Sequence, residues 1–214
     1  MALGGGAHHA RRNHGEGWCF FADITLGIHK LRRVTQNKVQ RVLYIDCDVH
    51  QGNGVEHDKL HFKDADLYVL DVYNTGRPFS QNSSQEISGS VLDIWPQDYA
   101  AKKGIDLSVE VHCGARDDEY LEKLKMALDE VRSNFQPDLI VYNAGTDILS
   151  GDQLGCLHVT PQGVIQRDEM VFQHAMDVKA PIVMLLSGGY TKNTHQVIAD
   201  SILNLTKKFH LPQP

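Results

Sequence analysis

Two carboxylates and an imidazole stand at alternate positions in Asp46-Cys47-Asp48-Val49-His50-Gln51-Gly52-Asn53-Gly54. The segment continues the apolar run Val42-Leu43-Tyr44-Ile45, and alternate residues of a strand share a face. An extended chain over 42–49 therefore points Asp46, Asp48 and His50 one way, and Leu43, Ile45, Cys47 and Val49 the other. So apolar a strand belongs at the centre of a sheet, covered on both faces. Buried carboxylates need compensation, and a bound cation is an economical source of it. Asp-x-His at a strand end suits zinc, through carboxylate oxygen and imidazole nitrogen, with a position left for water.

Four further segments fall where ligand sites form in parallel sheets, just beyond the carboxyl ends of strands. Asn143-Ala144-Gly145-Thr146-Asp147 follows Leu139-Ile140-Val141-Tyr142, and Asp147 could complete three protein ligands. Ser187-Gly188-Gly189-Tyr190 follows Ile182-Val183-Met184-Leu185-Leu186; Gly188 and Gly189 permit a sharp turn that brings the Tyr190 hydroxyl to a cleft. His8-His9 and Gly17-Trp18-Cys19-Phe20 are the other two, the latter a candidate cleft wall. Each is weak alone: an Asp after a strand is usually a turn or cap, paired histidines are usually surface residues, and a Trp is usually core. Their conjunction in this order is what carries chemistry.

The elements that must position these groups alternate. Apolar runs predict strands over 42–49, 66–72, 106–111, 138–144 and 181–187, and helical periodicity predicts helices over 22–34, 53–61, 118–134, 162–177 and 194–208. Over 118–134, Leu121, Leu124, Leu128 and Val131 fall at helical spacing behind Asp117, Asp118 and Glu119. Thr160-Pro161 is a cap and first-turn pair. Strands alternating with helices imply an α/β fold with a parallel sheet, and 214 residues suit one domain. The polar stretch Phe79 to Ser90 reads as a mobile surface loop. A net charge of -6 argues against direct nucleic-acid binding. Cys19, Cys47, Cys113 and Cys156 are scattered without a CxxC, as expected of free thiols in an intracellular protein. No signal peptide or membrane span is visible. Arg11-Arg12 and Lys30-Leu31-Arg32-Arg33 read as solvated charge rather than an import signal.

The chain resembles the zinc-dependent histone deacetylases. The segments that carry the resemblance are GGGAHHA (4–10), GWCFFADITLGI (17–28), VLYIDCDVHQGNGVE (42–56), LDVYN (70–74), DDEYLEKL (117–124), PDLIVYNAGTDIL (137–149), TPQGVIQRDEMVF (160–172) and SGGYTKNTHQVIADSILNL (187–205). DVYN, DDEYLEKL and NAGTDIL with its following GDQLG look most like class IV, the histone deacetylase 11 type. The resemblance implies a three-layer α/β domain of the arginase–deacetylase type that hydrolyses the amide of acylated lysine. Asp48, His50 and Asp147 then look like the zinc ligands, and His8 and His9 like the paired histidines. Tyr190 looks like the tyrosine that polarises the substrate carbonyl, and Asp46 like the carboxylate behind His8. The family also assigns Asp46 to a structural potassium ion, held with backbone carbonyls of this strand and the next. Gly17, Trp18, Gly188 and Gly189 would line the acyl-lysine channel. Asn53 stands where many members have Asp beside the second histidine; the class IV pattern has Asn too.

In that reading His9 takes a proton from water and returns it to the departing lysine amine, charged His8 stabilises developing charge, and Tyr190 donates to the oxyanion. The neutral Asn53 should leave His9 less basic than a carboxylate would. The resemblance also implies that roughly a third of the domain, before the paired histidines, is missing: residues 1–214 read as an amino-terminally truncated catalytic domain. Implied partners are acylated-lysine proteins, histones among them, and corepressors or other deacetylases, in nucleus or cytoplasm. Two alternatives stand beside the deacylase. One is a non-catalytic isoform acting through partner binding, favoured by the truncation. The other is an amidohydrolase of acetylated polyamines, which channel width and rim charge would distinguish. Long fatty acyl preference is implied by class IV alone.

Overall fold

The computed structural model describes residues 5–76 and 94–211. Five strands, β1 (Val42–Asp46), β2 (Leu67–Asn74), β3 (Leu107–Val111), β4 (Leu139–Asn143) and β5 (Ile182–Leu185), form one sheet. All pairings are parallel and the order is β3-β2-β1-β4-β5. The helices are α1 (Asp23–Val34), α2 (Asn53–Phe62), α3 (Asp117–Asn134), α4 (Pro161–Val178) and α5 (Thr194–Lys208). Every sequence-predicted element is present, with ends moved by a few residues. The main correction concerns the first strand: it stops at Asp46 rather than 49. The expected loop over Phe79 to Ser90 lies outside the described residues.

The layering follows from which residues alternate along the strands. Leu43, Ile45, Ile140 and Tyr142 join Tyr120, Leu124, Leu128 and Val131 of α3 with Val164, Val171 and Ala175 of α4 and Leu205 of α5. On the other face Val42, Tyr44, Val69 and Val141 meet Ile24 and Ile28 of α1 and Val55 of α2. Three layers result, with β1 buried throughout at the sheet's centre, as its composition requires. Thr160 caps α4: its hydroxyl accepts from Gly163 N at 3.0 Å, and Pro161 opens the first turn.

From β1 the chain proceeds outward to β2 and β3, then returns to place β4 on β1's other side. The strand order therefore reverses between β1 and β4. Loops leaving adjacent parallel strands toward opposite sides open a crevice at that point, which is where open α/β sheets bind ligands. Asp48 and His50 leave β1 there, and Asp147 leaves β4. No disulfide joins the four cysteines. Among the described residues no helix is long and apolar enough to cross a membrane.

Candidate active site

Past Asp46 the backbone leaves the ladder, yet its side chains keep the alternation expected of a strand. Asp46 Oδ1 accepts from Asp48 N at 3.1 Å, and Asp48 Oδ1 accepts from His50 N at 3.0 Å. Each carboxylate thus holds the amide two residues on, a turn that Asp favours, while Cys47 and Val49 stay in the core. Asp147 reaches the same place from β4: its Oδ1 accepts from Val49 N at 2.9 Å. His50 Nδ1 lies 3.0 Å from Asp48 Oδ1 and 3.1 Å from Asp147 Oδ2. One donor atom from each of Asp48, His50 and Asp147 falls within 4.8 Å of the others, and all three residues are buried.

These groups fit a metal ion. Asp147 Oδ2 is buried without a hydrogen-bond partner, and an unsatisfied buried carboxylate oxygen calls for a cation. Gly188 leaves the space open, because a Cβ there would lie 2.2 Å from Asp147 Oδ2 and 2.6 Å from Asp48 Oδ2. Burial, and then the Asp48 charge, raise Asp147 to about 7. Burial opposes charge on His50, but the Asp147 and Asp48 carboxylates beside it raise it to about 10. Burial likewise opposes charge on Asp48, yet His8 and His50 hold it well below the usual carboxylate range. Without metal, the three compete for protons; a divalent ion would displace those protons.

The paired histidines have opposite characters. His8 Nδ1 donates to Asp46 Oδ2 at 2.8 Å, and its Nε2 is 3.5 Å from Asp48 Oδ1. Burial disfavours its charge, but the two carboxylates outweigh burial and raise it to about 9. His9 Nδ1 donates to Asn53 Oδ1 at 2.8 Å, which leaves the Nε2 lone pair free. Burial and the neighbouring His8 charge lower His9 to about 3, and the Asn53 bond offsets only part of that. The rings are 4.0 Å apart between centroids. At neutral pH one imidazole is charged and the other is a neutral acceptor.

The segment bearing them is held in place by hydrogen bonds from three other elements. Asp23 accepts from Gly6 N and Ala7 N, both at 3.0 Å, and the His8 carbonyl accepts from Gly54 N at 2.9 Å. Ser187 Oγ donates to the Gly6 carbonyl at 3.2 Å. Asp46 is saturated: Tyr44 Oη and His8 Nδ1 donate to Oδ2, and Asp48 N and Asn143 Nδ2 to Oδ1.

A hollow of about 400 Å³ opens onto these groups, lined by His9, Gly17, Trp18, His50, Trp95 and Tyr190 among others. Trp18 and Tyr190 face each other at 5.7 Å between centroids. A Cβ at Gly17 would lie 2.4 Å from the His9 ring and 2.7 Å from Trp95, so the site needs glycine there. Gly188 N donates to Asp48 Oδ2 at 2.8 Å, and Gly189, at φ +151°, swings the chain toward Tyr190. A more open hollow of about 750 Å³ lies elsewhere, between α1 and the start of β2. Its lining includes Arg32, Arg33 and Lys63 but none of the groups above, whereas a hollow of about 350 Å³ that shares His9, Trp18 and Tyr190 with the first is lined by His8, Asp48 and Gly188 as well.

Three participants escape sequence reasoning. Trp95 packs its ring, tilted, 4.6 Å from that of His9, from a segment with no periodicity. Asp152, inside the noted GDQLG, accepts from Tyr190 N at 2.7 Å and so sets where the tyrosine begins. Asp23 holds the histidine turn from the first residue of α1; an Asp there reads equally well as a helix-dipole residue.

Comparison with known proteins identifies the family. The histone deacetylase domain model matches residues 1–206. The chain is 46% identical over 206 residues to Histone deacetylase 2 of Arabidopsis thaliana, covering 96% of this chain and 48% of that one. It is 32% identical over 188 residues to human Histone deacetylase 1, covering 87% of this chain and 35% of that one. The crystal structure of an HDAC homologue from Aquifex aeolicus superposes with a TM-score of 0.67 at 25% identity, covering 99% of this chain and 52% of that one. An HDAC homologue complexed with SAHA gives 0.69 at 23% identity, with 99% and 52% covered. The three-layer parallel sheet is thus that of the arginase–deacetylase fold, and the chain belongs to the histone deacetylase domain family. It spans about half the length of the Arabidopsis relative and of the SAHA-bound homologue, and about a third of the human one.

Proposed function

We propose that this chain carries the reaction centre of a zinc-dependent protein lysine deacylase of class IV, the histone deacetylase 11 type, and that residues 1–214 form part of a single catalytic domain. The observation that carries the reading is the Asp48–His50–Asp147 group facing one charged and one neutral histidine. Asn53 as the partner of His9, with DVYN and DDEYLEKL, supports class IV. Asp48, His50 and Asp147 would hold zinc, which when bound would acidify a water and polarise the amide carbonyl.

This chain's own groups do the rest. His9 Nε2, free and unprotonated, accepts the proton of the attacking water and returns it to the departing lysine amine. His8, kept charged by Asp46, offsets negative charge as the carbonyl becomes tetrahedral. Tyr190 donates its hydroxyl to the oxyanion, a bond that strengthens in the transition state. Gly17 and Trp18 wall the lysine's approach, and Trp95 adds apolar surface. A structural potassium ion would draw on backbone carbonyls of β1 and β2, since the Asp46 carboxylate already receives four donors. Substrates would be acylated-lysine proteins, histones included, met in nucleus or cytoplasm and with corepressor partners.

The test is zinc content and single-turnover hydrolysis of matched myristoyl-lysine and acetyl-lysine peptides, by the chain and its Asp147→Ala variant. Near one zinc per chain, with zinc and hydrolysis both lost in the variant, is the expected result, and the faster peptide names the acyl class. Folded, zinc-loaded protein without turnover would leave the metal centre standing and overturn catalysis by this chain.

A further inference from the structure

Arg167 sits in the middle of α4, within the segment TPQGVIQRDEMVF, and the chemistry above makes no use of it. Its side chain is fully buried, at 0% exposure. A guanidinium stays charged when buried, so every donor must find a partner. Asp168 Oδ1 accepts from Nε at 2.9 Å and lies 2.9 Å from Nη2. The remaining donors go to the main chain. Nη1 donates to the Gly145 carbonyl and, at 3.3 Å, to the Cys47 carbonyl; Nη2 approaches the Ala144 carbonyl at 3.5 Å.

The positions of those carbonyls matter. Cys47 immediately precedes Asp48, and Ala144 and Gly145 lie just ahead of Asp147. The ladder between β1 and β4 closes where Cys47 N donates to the Asn143 carbonyl at 2.9 Å. Beyond it, among the described residues, no backbone–backbone hydrogen bond joins the two loops. The guanidinium takes over where the sheet stops. Its counter-ion is fixed in turn: Tyr142 Oη from β4 and Ser201 Oγ from α5 each donate to Asp168 at 2.5 Å.

We propose that Arg167 is a positioning residue for the metal ligands, one planar fork that sets the distance between the Asp48 loop and the Asp147 loop from the α4 side of the sheet. The inference rests on the metal-centre reading above. A lysine would keep the charge but offers a point-like ammonium with no fixed fork, and could not hold carbonyls from both loops in one plane. Supporting groups behind metal ligands typically alter metal affinity 10–100-fold when removed.

The test titrates Co²⁺, as a visible probe, into the unmodified chain, Arg167→Lys and Leu205→Ala, with circular dichroism and Tm measured on each. Leu205 packs α5 against the core and bonds to neither loop, so its variant controls for lost stability alone. Arg167→Lys is expected to keep its secondary structure and bind Co²⁺ about 10–100-fold more weakly, with an altered d–d spectrum. Leu205→Ala is expected to lose Tm and keep its affinity. Native affinity in Arg167→Lys, or equal weakening in Leu205→Ala, overturns the inference. If the unmodified chain binds no Co²⁺, the metal-centre reading fails and takes this one with it. Should Arg167→Lys not fold, the Nε–H resonance of Arg167 in the unmodified protein decides: it should shift on adding Zn²⁺, and an unmoved resonance would overturn the proposal.

Discussion

Tyr190 is the residue whose contribution separates most cleanly from the fold. It is half-exposed, at 47%, and among the described residues the hydrogen bond fixing its start is from its backbone N to Asp152. Removing the hydroxyl should therefore leave the packing and the Asp48–His50–Asp147 group intact. Tyr190→Phe is expected to bind zinc like the native chain and to turn over about 10²–10³-fold more slowly, the usual loss of one oxyanion donor; stopped-flow hydrolysis beside metal analysis checks both halves. Unchanged turnover would remove Tyr190 from the chemistry. The types and spacing of Asp46, Asp48, His50 and Asp147 were readable because a strand's twofold alternation survives even where the strand itself ends. Trp95 was not readable, since nothing local distinguishes an aromatic that packs on His9 from one that packs on a core.

At the scale of elements, α4 runs from its cap at Thr160 to the buried Arg167. Thr160 Oγ1 accepts from Gly163 N at 3.0 Å and donates to Asp117 Oδ2 at 2.5 Å, joining the starts of α4 and α3. Thr160→Ala removes both bonds and should cost about 1–2 kcal/mol, lowering Tm by about 3–6 °C in a chain this size. Since Arg167 lies two turns further on, metal affinity should stay within about twofold; calorimetry and a zinc competition assay check the pair, and a large affinity loss would mean that α4 moves as a rigid lever. The cap was legible in Thr160-Pro161, as were all five strands and five helices, because period and punctuation are local signals. Two things were not. The end of β1 at Asp46 is set by Asp side chains capturing amides, which competes with ladder bonds without changing the apolar pattern. Arg167 looks like a helix-surface charge in sequence; only the reversal of strand order between β1 and β4 puts two loop backbones within its reach.

For the whole molecule, the buried charges that make the site also set the pH range in which the metal-free chain is stable. His8 is raised from 6.5 to about 9 in the folded state, against the pull of burial, by Asp46 and Asp48. Below pH 6.5 both folded and unfolded chains hold that proton, so the gain is complete; above it the unfolded chain releases the proton first, and the gain is lost as pH rises through about 9. The shift corresponds to roughly 3 kcal/mol. His50, raised to about 10, acts in the same sense. His9 acts oppositely: lowered to about 3, it withholds a proton that the unfolded chain takes up below 6.5, which costs stability on the acid side. Asp147, raised to about 7, partly cancels that acid-side slope. The metal-free chain should therefore lose stability, and so Tm, as pH rises from about 6.5 to 9. Zinc held as proposed would act in the opposite sense, because Asp48, His50 and Asp147 would take it in their deprotonated forms and its affinity would rise as they lose protons. Its stabilisation should grow from pH 6 to pH 9, so that the Tm curves of loaded and metal-free protein separate with rising pH. Scanning calorimetry of both forms across that range measures the separation directly. Parallel curves would mean that the three ligands do not exchange protons for metal, whatever their geometry.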